Sequence, residues 1–411
     1  MKYSRFGVCI ILLVSFMVFP ITSWAGSEPE KDKIVIGAAR PLSGPLAFFE
    51  ENAFGPTYKM WVDEVNAKGG IYVEEYGKRL PVEMLVYDDK SDMGTMIRLL
   101  EKLILEDKVD FVFPPASTAF LFAAGAVANR HGYILLGAEG GATTIRDMLP
   151  GMPYFFGVLN FSDHYQIPAL ADILAEAGVK TAAIMFIEDL HGIEYSGVAT
   201  RELGKKGIDI VLIKSTPPDI KDASPILKAA KALNVDAFLS FTYPDAGFLV
   251  TGQAIELGFN PKAFLLGPGG NFEVYKNIFG AETIEGVMGE GAWNWKSSPA
   301  AKEFYDKYTA RYDESTLDWW GHLFYYAALQ FFEQAIEKAG TLDQKIIRDI
   351  MATEKFDTVL GPTWFEGGLL AVECHPGQIG QWQNGVFEVI GPKDKATAEP
   401  IYPKPAWPTK K

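Results

Sequence analysis

The glycine-rich stretch LLGPGGNF, residues 265–272, is a place where the backbone itself could form a binding site. An apolar run ending in such a loop is typical of phosphate-binding motifs, whose backbone N–H groups contact the anion. This loop contains no Lys, Ser or Thr and matches neither nucleotide-binding glycine pattern. We therefore expect no nucleotide cofactor here.

Other catalytic motifs are missing from the sequence. It contains no Gly-x-Ser-x-Gly, no His-Glu-x-x-His and no Cys-x-x-Cys, and its five histidines are scattered without metal-ligand spacing. The acidic stretch DDKSDMG, residues 88–94, lacks the alternating acids and closing Glu of a calcium loop. We predict no metal and no enzyme, although a hydrolase using His191 with Glu188 or Asp189 is one alternative.

Polar or glycine-rich loops follow several apolar strands directly. In open α/β sheets, ligands bind beyond the carboxyl ends of the strands, so these loops are predicted to converge on one cleft. They are RPLSGPLAFF (40–49), PPASTAF (114–120), GAEGGATT (137–144), EDLHGIEY (188–195), TYPDAG (242–247) and GPGGNF (267–272).

Ser117 and Thr118 stand where one of these loops would begin a helix. A helix N-terminus offers unpaired N–H groups and a favourable dipole, so these residues could hold a carboxylate. A plain N-cap role for Ser117 is compatible with that reading.

The elements that position these loops alternate between strands and helices. The first β-rich runs are residues 34–39, 82–88, 109–114 and 133–137. The same alternation begins again at residue 154 and continues to the run at 286–291. This alternation predicts two doubly wound α/β units with parallel sheets. The helical block that follows, including a long segment from Asp318 to Ala339, must pack on an existing lobe, and Asn384-Gly385 predicts a hairpin.

The first 26 residues, MKYSRFGVCIILLVSFMVFPITSWAG, have the pattern of a secretory signal cut after Ala25. Cleavage would remove Lys2 and Arg5, so the formal charge of -14 over 411 residues would become -16. Such an acidic chain is not expected to bind nucleic acid. Cys374 would be the cysteine left, which excludes an intramolecular disulfide.

From Lys33 to about Tyr402 the chain resembles the type I periplasmic solute-binding proteins of branched-chain amino acid ABC transporters, the leucine/isoleucine/valine-binding family. The matching stretches are KIVIGAARPLSGPLA, MWVDEVNAKGGI, LVYDDKSD, PPASTAFLFAAGAVANRHGYILLG, SDHYQ, EDLHGIEY, QAIELGFNP, FYYAALQFFEQAIEKAG and FDTVLGPTWFEGG. The resemblance implies two α/β lobes joined by three crossover strands. The expected lobes are 33–157 plus 292–358 and 158–291 plus 359–411.

The resemblance also implies which residues bind the ligand. The family's carboxylate-binding hydroxyl and backbone groups fall on Ser117 and Thr118, and the second lobe adds His191 and Tyr243. The remaining positions are Phe49, Ala138, Glu139, Gly140, Gly269 and Trp319, with Trp320 as the alternative to Trp319.

Two departures from the family pattern bear on the ligand. Gly269 stands where amino acid binders carry the acid that contacts the ligand's ammonium, so an amino acid would need Glu139 or Asp245 instead. If neither points inward, the predicted ligand is a carboxylate without an amine, held in an aromatic box. The box candidates are Phe48, Phe49, Phe113, Tyr243, Trp293 and Trp319. The family's Arg near the first crossover is also missing from YFFGVLNFSD.

The expected protein is an exported, periplasmic, monomeric solute-binding protein. It would capture a small amino acid or organic, in one reading aromatic, carboxylate and deliver it to an ABC permease in the inner membrane, with no cofactor. The alternative is a ligand-sensing subunit for a separate membrane receptor.

Overall fold

The structure is a computed structural model that describes residues 1, 30–138, 144–159 and 165–408. The expected signal peptide, residues 1–25, lies outside the described residues apart from Met1. The strands are β1 (Ile34–Arg40), β2 (Ile71–Val73), β3 (Lys78–Leu80), β4 (Val82–Asp88), β5 (Phe111–Phe113), β6 (Leu135–Gly137), β7 (Phe155–Gly157), β8 (Thr181–Ile187), β9 (Asp209–Thr216), β10 (Ala237–Phe241), β11 (Ala263–Leu266), β12 (Met288–Glu290), β13 (Phe356–Thr358), β14 (Gly361–Thr363), β15 (Phe365–Glu366), β16 (Leu369–Leu370), β17 (Ile379–Gln383) and β18 (Val386–Gly391).

The helices lie between these strands along the chain. They are α1 (Ala47–Phe49), α2 (Gly55–Ala67), α3 (Met93–Leu105), α4 (Thr118–His131), α5 (Ile145–Met148), α6 (Ile167–Glu176), α7 (Leu190–Lys205), α8 (Ser224–Ala232), α9 (Pro244–Glu256), α10 (Glu273–Phe279), α11 (Pro299–Thr309), α12 (His322–Ala339) and α13 (Gln344–Thr353). A π-helical turn, Glu50–Phe54, joins α1 to α2.

The first lobe is built on the strands β4-β1-β5 and β15-β16-β7-β6. β1 pairs in parallel with both β4 and β5, and β6 pairs in parallel with β7. β5 and β6 lie side by side, so the two groups of strands continue one layer. Buried aromatic and aliphatic side chains, among them Trp61, Phe111 and Phe113, form its core with α2 and α12.

The second lobe contains one sheet in the order β18-β17-β12-β11-β10-β8-β9. The strands from β8 to β12 are parallel, whereas β17 and β18 are added antiparallel through the Asn384-Gly385 turn. Both turn residues have positive φ, as the predicted hairpin requires. Helices cover both faces, so the prediction of two doubly wound α/β lobes is confirmed.

The chain passes between the two sheets three times, after β7, after β12 and after β16. The last passage differs from the expected division at residue 359. Leu369 in β16 pairs with Gly157 in β7, so residues 365–370 extend the first lobe's sheet. Sequence patterns missed these strands because each is two residues long and lies among glycines. The lobe boundaries stay a prediction, and the pairing of Leu369 with Gly157 favours a last boundary after residue 370.

The late helical block packs on the first lobe, as predicted. α12 contacts α2, β2 and α13, and nearly every residue from His322 to Phe332 is buried. The helix begins at His322 rather than Asp318, because the Asp318 carboxylate accepts hydrogen bonds from the N–H groups of Trp320 (2.6 Å) and Gly321 (3.1 Å). Residues 318–321 therefore form a tight turn before the helix.

Among the helices of the described ranges, none combines the length and the apolar character needed to cross a membrane.

Candidate functional site

A small cavity lies between the two lobes, where the loops after β1, β5, β8, β10 and β11 meet. Its lining consists of Phe49, Phe54, Ser117, Thr118, His191, Tyr243, Pro268 and Trp320. The structure thus brings together five of the predicted site residues, from both lobes. The enclosed volume is about 10 Å³, room for about one water molecule. Any larger ligand requires side chains or lobes to move apart.

Ser117 supplies the first-lobe end of the cavity. It precedes α4 with φ 76° and ψ 152°, a conformation that non-glycine residues rarely adopt. Its side chain makes no capping hydrogen bond to the helix, while Thr118 is buried beside it. Ser117 lines the cavity beside the first turn of α4, and its side chain lies close enough to the Tyr243 hydroxyl to hydrogen-bond it.

Arg40 fixes the two loops on either side of this helix end. Its guanidinium is buried and donates to the Glu50 carboxylate from Nε (2.8 Å) and Nη2 (2.5 Å). Nη1 donates to the carbonyl oxygen of Pro114 at 2.7 Å. One side chain thereby holds both the segment that carries Phe54 and the loop that carries Ser117.

The second lobe presents His191 and Tyr243. Asp189 joins their loops, since its carboxylate accepts from the Gly192 N–H (3.0 Å) and from the Tyr243 hydroxyl (2.7 Å). His191 stacks on Tyr243 with 5.5 Å between ring centroids. The stack presents one continuous aromatic wall.

The two side chains of this wall, His191 and Tyr243, are uncharged because of their surroundings. Burial lowers the pKa of His191 below its usual value, although the Asp189 carboxylate opposes the shift. Burial, with the nearby Asp189 charge, raises the pKa of Tyr243 well above its usual value. Both side chains therefore act as uncharged hydrogen-bonding groups near neutral pH.

Phe49 closes the cavity from the first lobe. Its ring meets Tyr243 edge-on with 5.7 Å between centroids. The neighbouring Phe48 stacks on Phe272 of the second lobe at 5.6 Å. The lobes thus contact each other through aromatic side chains across the cleft.

Trp320, and not Trp319, lines the cavity. The turn held by Asp318 places Trp320 against the site, whereas the Trp319 indole N–H donates to Glu273 at 2.9 Å. The Trp319 ring packs with Trp293 at 4.9 Å. Trp319 is therefore an interior packing residue, and the alternative position, Trp320, takes its expected place.

Gly269 presents no side chain to the ligand because of backbone packing. Its φ is +109°, and a Cβ built there would lie 2.7 Å from the Cα of Pro244. An acid could not occupy this position without displacing the Tyr243-Pro244 loop. The residue before it, Pro268, lines the cavity instead.

The other predicted residues are placed as follows. Ala138 is buried at the end of β6, and Glu139 and Gly140 lie outside the described residues. Asp245 is exposed at the cleft mouth. Of the aromatic-box candidates, Phe113 and Trp293 pack in the interior and do not line the cavity.

The cleft mouth forms a larger, mostly apolar pocket of about 350 Å³. It shares Phe49, Ser117 and Tyr243 with the small cavity, and Phe48, Phe120 and Pro244 extend it outward. This volume is within the range of small-molecule sites. A ligand whose carboxylate lies at Ser117 could extend an apolar body in this direction.

Two residues that line the cavity, and one buried acid close to it, were not predicted from the sequence. Phe54 lies in a π-helical turn that periodicity does not predict, and Pro268 is one of many loop prolines. Glu290, the third, is a fully buried acid at the end of β12. A charged residue directly after a buried strand is the pattern used for the other loops, and it could have identified Glu290.

No group of three or more His, Cys, Asp or Glu residues suited to a metal ion occurs in the described ranges.

The two-lobed fold and its interlobe cavity place the chain in a class of known structures. LivJ from Streptococcus pneumoniae, a branched-chain amino acid transporter substrate binding protein solved with isoleucine, matches with a TM-score of 0.74 at 21% identity, covering 90% of this chain and 100% of that chain. A solute binding protein of an ABC transporter from Rhodopseudomonas palustris BisB5, solved with 3,4-dihydroxybenzoic acid, matches at 0.71 and 19% identity, covering 85% and 93%. The fold is that of type I periplasmic binding proteins.

Sequence comparison gives the family. The family model described as periplasmic binding protein matches residues 33–385. Leu/Ile/Val-binding protein homolog 7 of Brucella suis biovar 1 is 25% identical over 394 residues, which is 91% of this chain and 95% of the relative. The chain belongs to the periplasmic binding protein family, and the predicted resemblance is confirmed.

Proposed function

We propose that this protein captures a small amino acid or organic carboxylate between its lobes in the periplasm and delivers it to an ABC permease. The observation that carries the proposal is the convergence of Ser117 at the start of α4 with His191 and Tyr243 of the opposite lobe. A carboxylate at the helix N-terminus would meet unpaired N–H groups and a favourable dipole. The uncharged second-lobe wall would then close over the rest of the ligand.

Closure is the proposed mechanism. The cavity between the contacting lobes is too small for an amino acid, so the ligand must enter while the lobes are apart. Contacts to both lobes favour the closed arrangement, which the permease would recognise. The chain would act as a carrier without catalysis, and both acids of that loop already accept hydrogen bonds, Asp189 from Gly192 and Tyr243 and Glu188 from Ser215.

Related proteins bound to isoleucine and to 3,4-dihydroxybenzoic acid support both proposed ligand classes. A thermal-shift screen of amino acids, their deaminated analogues and aromatic acids would identify the ligand. Uptake of that ligand in a deletion strain then separates transport from sensing. Lost uptake supports delivery to a permease, and unchanged uptake would favour the sensor.

Replacing Tyr243 by alanine is expected to weaken ligand binding at least ~10-fold, because a buried aromatic contact contributes about 1.4 kcal/mol or more. The variant also loses the hydrogen bond to Asp189. Isothermal titration calorimetry with a ligand from the screen measures the change. Tyr72→Ala is the control, since Tyr72 is 41% exposed on β2. Equal affinity in the two variants would remove Tyr243 from the site.

Replacing Ser117 by glycine is expected to raise the stability of the protein and to weaken its binding of the ligand. Glycine adopts φ 76° without strain, so the free energy of unfolding should rise by about 1 kcal/mol despite glycine's greater unfolded-state entropy. Affinity should fall, because the hydroxyl is lost. Chemical denaturation and calorimetry measure the two effects. A stabilised variant with full affinity would show that the strain does not serve the ligand.

A further inference from the structure

Glu290 is a fully buried acid whose carboxyl group has no hydrogen-bond partner among the described residues. It is the last residue of β12, its side chain is 0% exposed, and neither carboxyl oxygen is bonded to any residue in the described ranges. Only its backbone carbonyl is used, accepting from the Asn271 side chain at 2.7 Å. A buried polar group of this kind is rare in folded proteins and needs an explanation.

Three observations place Glu290 next to the cavity. In the β11–β12 register Leu266 lies opposite Gly289, so the segment leading to Pro268 runs beside Glu290. On its other side, a Cβ built on Gly291 would lie 2.0 Å from Cδ1 of Trp320. Pro268 and Trp320 both line the cavity. The Glu290 charge also contributes to the raised pKa of Tyr243, a third lining residue.

The side chain points toward the part of the second lobe that carries His191. Side chains alternate along a strand, so Glu290 lies on the same face as Met288. Met288 packs in the cluster that contains Tyr195 of α7. The His191 ring lies 4.4 Å from the Tyr195 ring. Glu290 and His191 thus approach the cavity from the same layer.

Within the described ranges, no cation compensates this carboxyl group. Burial raises the pKa of Glu290 well above its usual value, and no basic group lowers it. Arg40, a buried guanidinium of the first lobe, is bonded to Glu50 and to the carbonyl oxygen of Pro114. By contrast, the buried Glu388 has Lys296, Asn294 and Thr397 as partners. The described residues therefore leave Glu290 without the charge that a buried carboxylate requires.

We propose that Glu290 binds a positively charged nitrogen of the ligand, so that the captured solute carries an amine as well as a carboxylate. This inference rests on the proposed function and specifies its ligand class. Glu290 supplies the acid that Gly269 cannot, and it does so from a different strand. The Tyr243, Phe49 and Trp320 rings, which line the adjacent cavity, also favour a cation.

Two further buried groups fit the same ligand. The Trp320 indole N–H and the His191 Nε2 atom have no hydrogen-bond partner among the described residues, and both residues line the cavity. The first can donate only, and the neutral imidazole can donate or accept. An amino-carboxylate can satisfy them with its oxygens and N–H groups, whereas a hydrocarbon body cannot.

The test is titration of the full-length mature protein with matched pairs of probes. Each pair contains an amine-bearing carboxylate, taken from the standard amino acids and the aminobenzoates, and its deaminated twin. Amine-bearing probes are expected to bind, and their twins to bind at least ~30-fold more weakly, as when a buried charge loses its partner. Twins that bind equally well, or deaminated acids as the sole ligands, would overturn the role of Glu290 while leaving solute capture intact. If probes of neither class bind, the proposed function is overturned as well.

Glu290→Gln provides the second measurement. The amide keeps the shape of the side chain, so the unliganded variant should melt no lower than the parent. It is expected to lose at least ~30-fold in affinity for the amine-bearing probe and little for the twin. Glu388→Gln, which alters a buried acid already paired with Lys296, is the control and should keep the preference for the amine. Parental affinity of Glu290→Gln for the amine-bearing probe would refute the inference.

Discussion

Arg40→Met is expected to lower the free energy of unfolding by about 3 kcal/mol, the lower end of the range for breaking a buried ion pair. The lower end applies because Glu50 is 19% exposed and can be partly hydrated once its partner is lost. The Pro114 carbonyl would also lose its donor. Urea denaturation followed by tryptophan fluorescence measures the change.

Binding should weaken in the same variant, because Arg40 holds the loops that carry Phe54 and Ser117. Arg98→Met is the matched control, since Arg98 is exposed on α3 and donates a hydrogen bond to the Thr95 hydroxyl. We expect that control to change stability by less than about 0.5 kcal/mol. If Arg40→Met were as stable as the control, the ion pair would not hold these loops.

Much of the fold follows from sequence periodicity. The predicted run 82–88 coincides with β4, because most of its residues are aliphatic or aromatic and favour strands. The short strands β15 and β16 were not predicted, since two residues cannot show a period of two. Their pairing to β7 is a tertiary effect that moves the last lobe crossing beyond residue 359.

The loop residues of the site were predictable because their position follows from the topology. The loops after β5, β8 and β10 had to meet at the carboxyl edges of the sheets, which brings Ser117, His191 and Tyr243 together. The choice between Trp319 and Trp320 was not predictable. It depends on the turn that the Asp318 carboxylate forms before α12, and adjacent residues at a turn point in different directions.

At Gly269 the sequence differs from the family pattern, and the packing of the backbone explains the difference. In the sequence, this glycine replaces the acid that would bind the ligand's ammonium group. In three dimensions the position has no room for any side chain, because Pro244 packs against it. Glu290 approaches the same cavity from the neighbouring strand, so the missing acid at Gly269 does not exclude an amine-bearing ligand.

Gly192→Ala is expected to impair both stability and binding. A Cβ at this position would lie 2.0 Å from the carbonyl oxygen and 2.7 Å from the amide nitrogen of Ile187. These are backbone atoms of β8, which cannot rotate away as a side chain could. The start of α7 must therefore move, at a cost of about 2–3 kcal/mol for overpacking.

The same movement would displace the residues that α7 positions. Asp189 accepts from the Gly192 N–H and also holds the Tyr243 hydroxyl, so a shift here reaches both loops of the second-lobe wall. We expect affinity to fall at least ~10-fold, because small misplacements of positioning groups weaken binding strongly. Calorimetric titration of the folded variant measures this loss separately from the lowered melting temperature.

Gly197→Ala is the matched control within the same helix. A Cβ at Gly197 would meet no other atom within 4 Å, so the substitution should raise stability by up to about 1 kcal/mol through helix propensity. Its affinity should equal that of the parent. If Gly192→Ala behaved like this control, the close packing of α7 on Ile187 would not be what positions Asp189 and His191. The second-lobe wall would then depend on the Asp189–Tyr243 hydrogen bond alone.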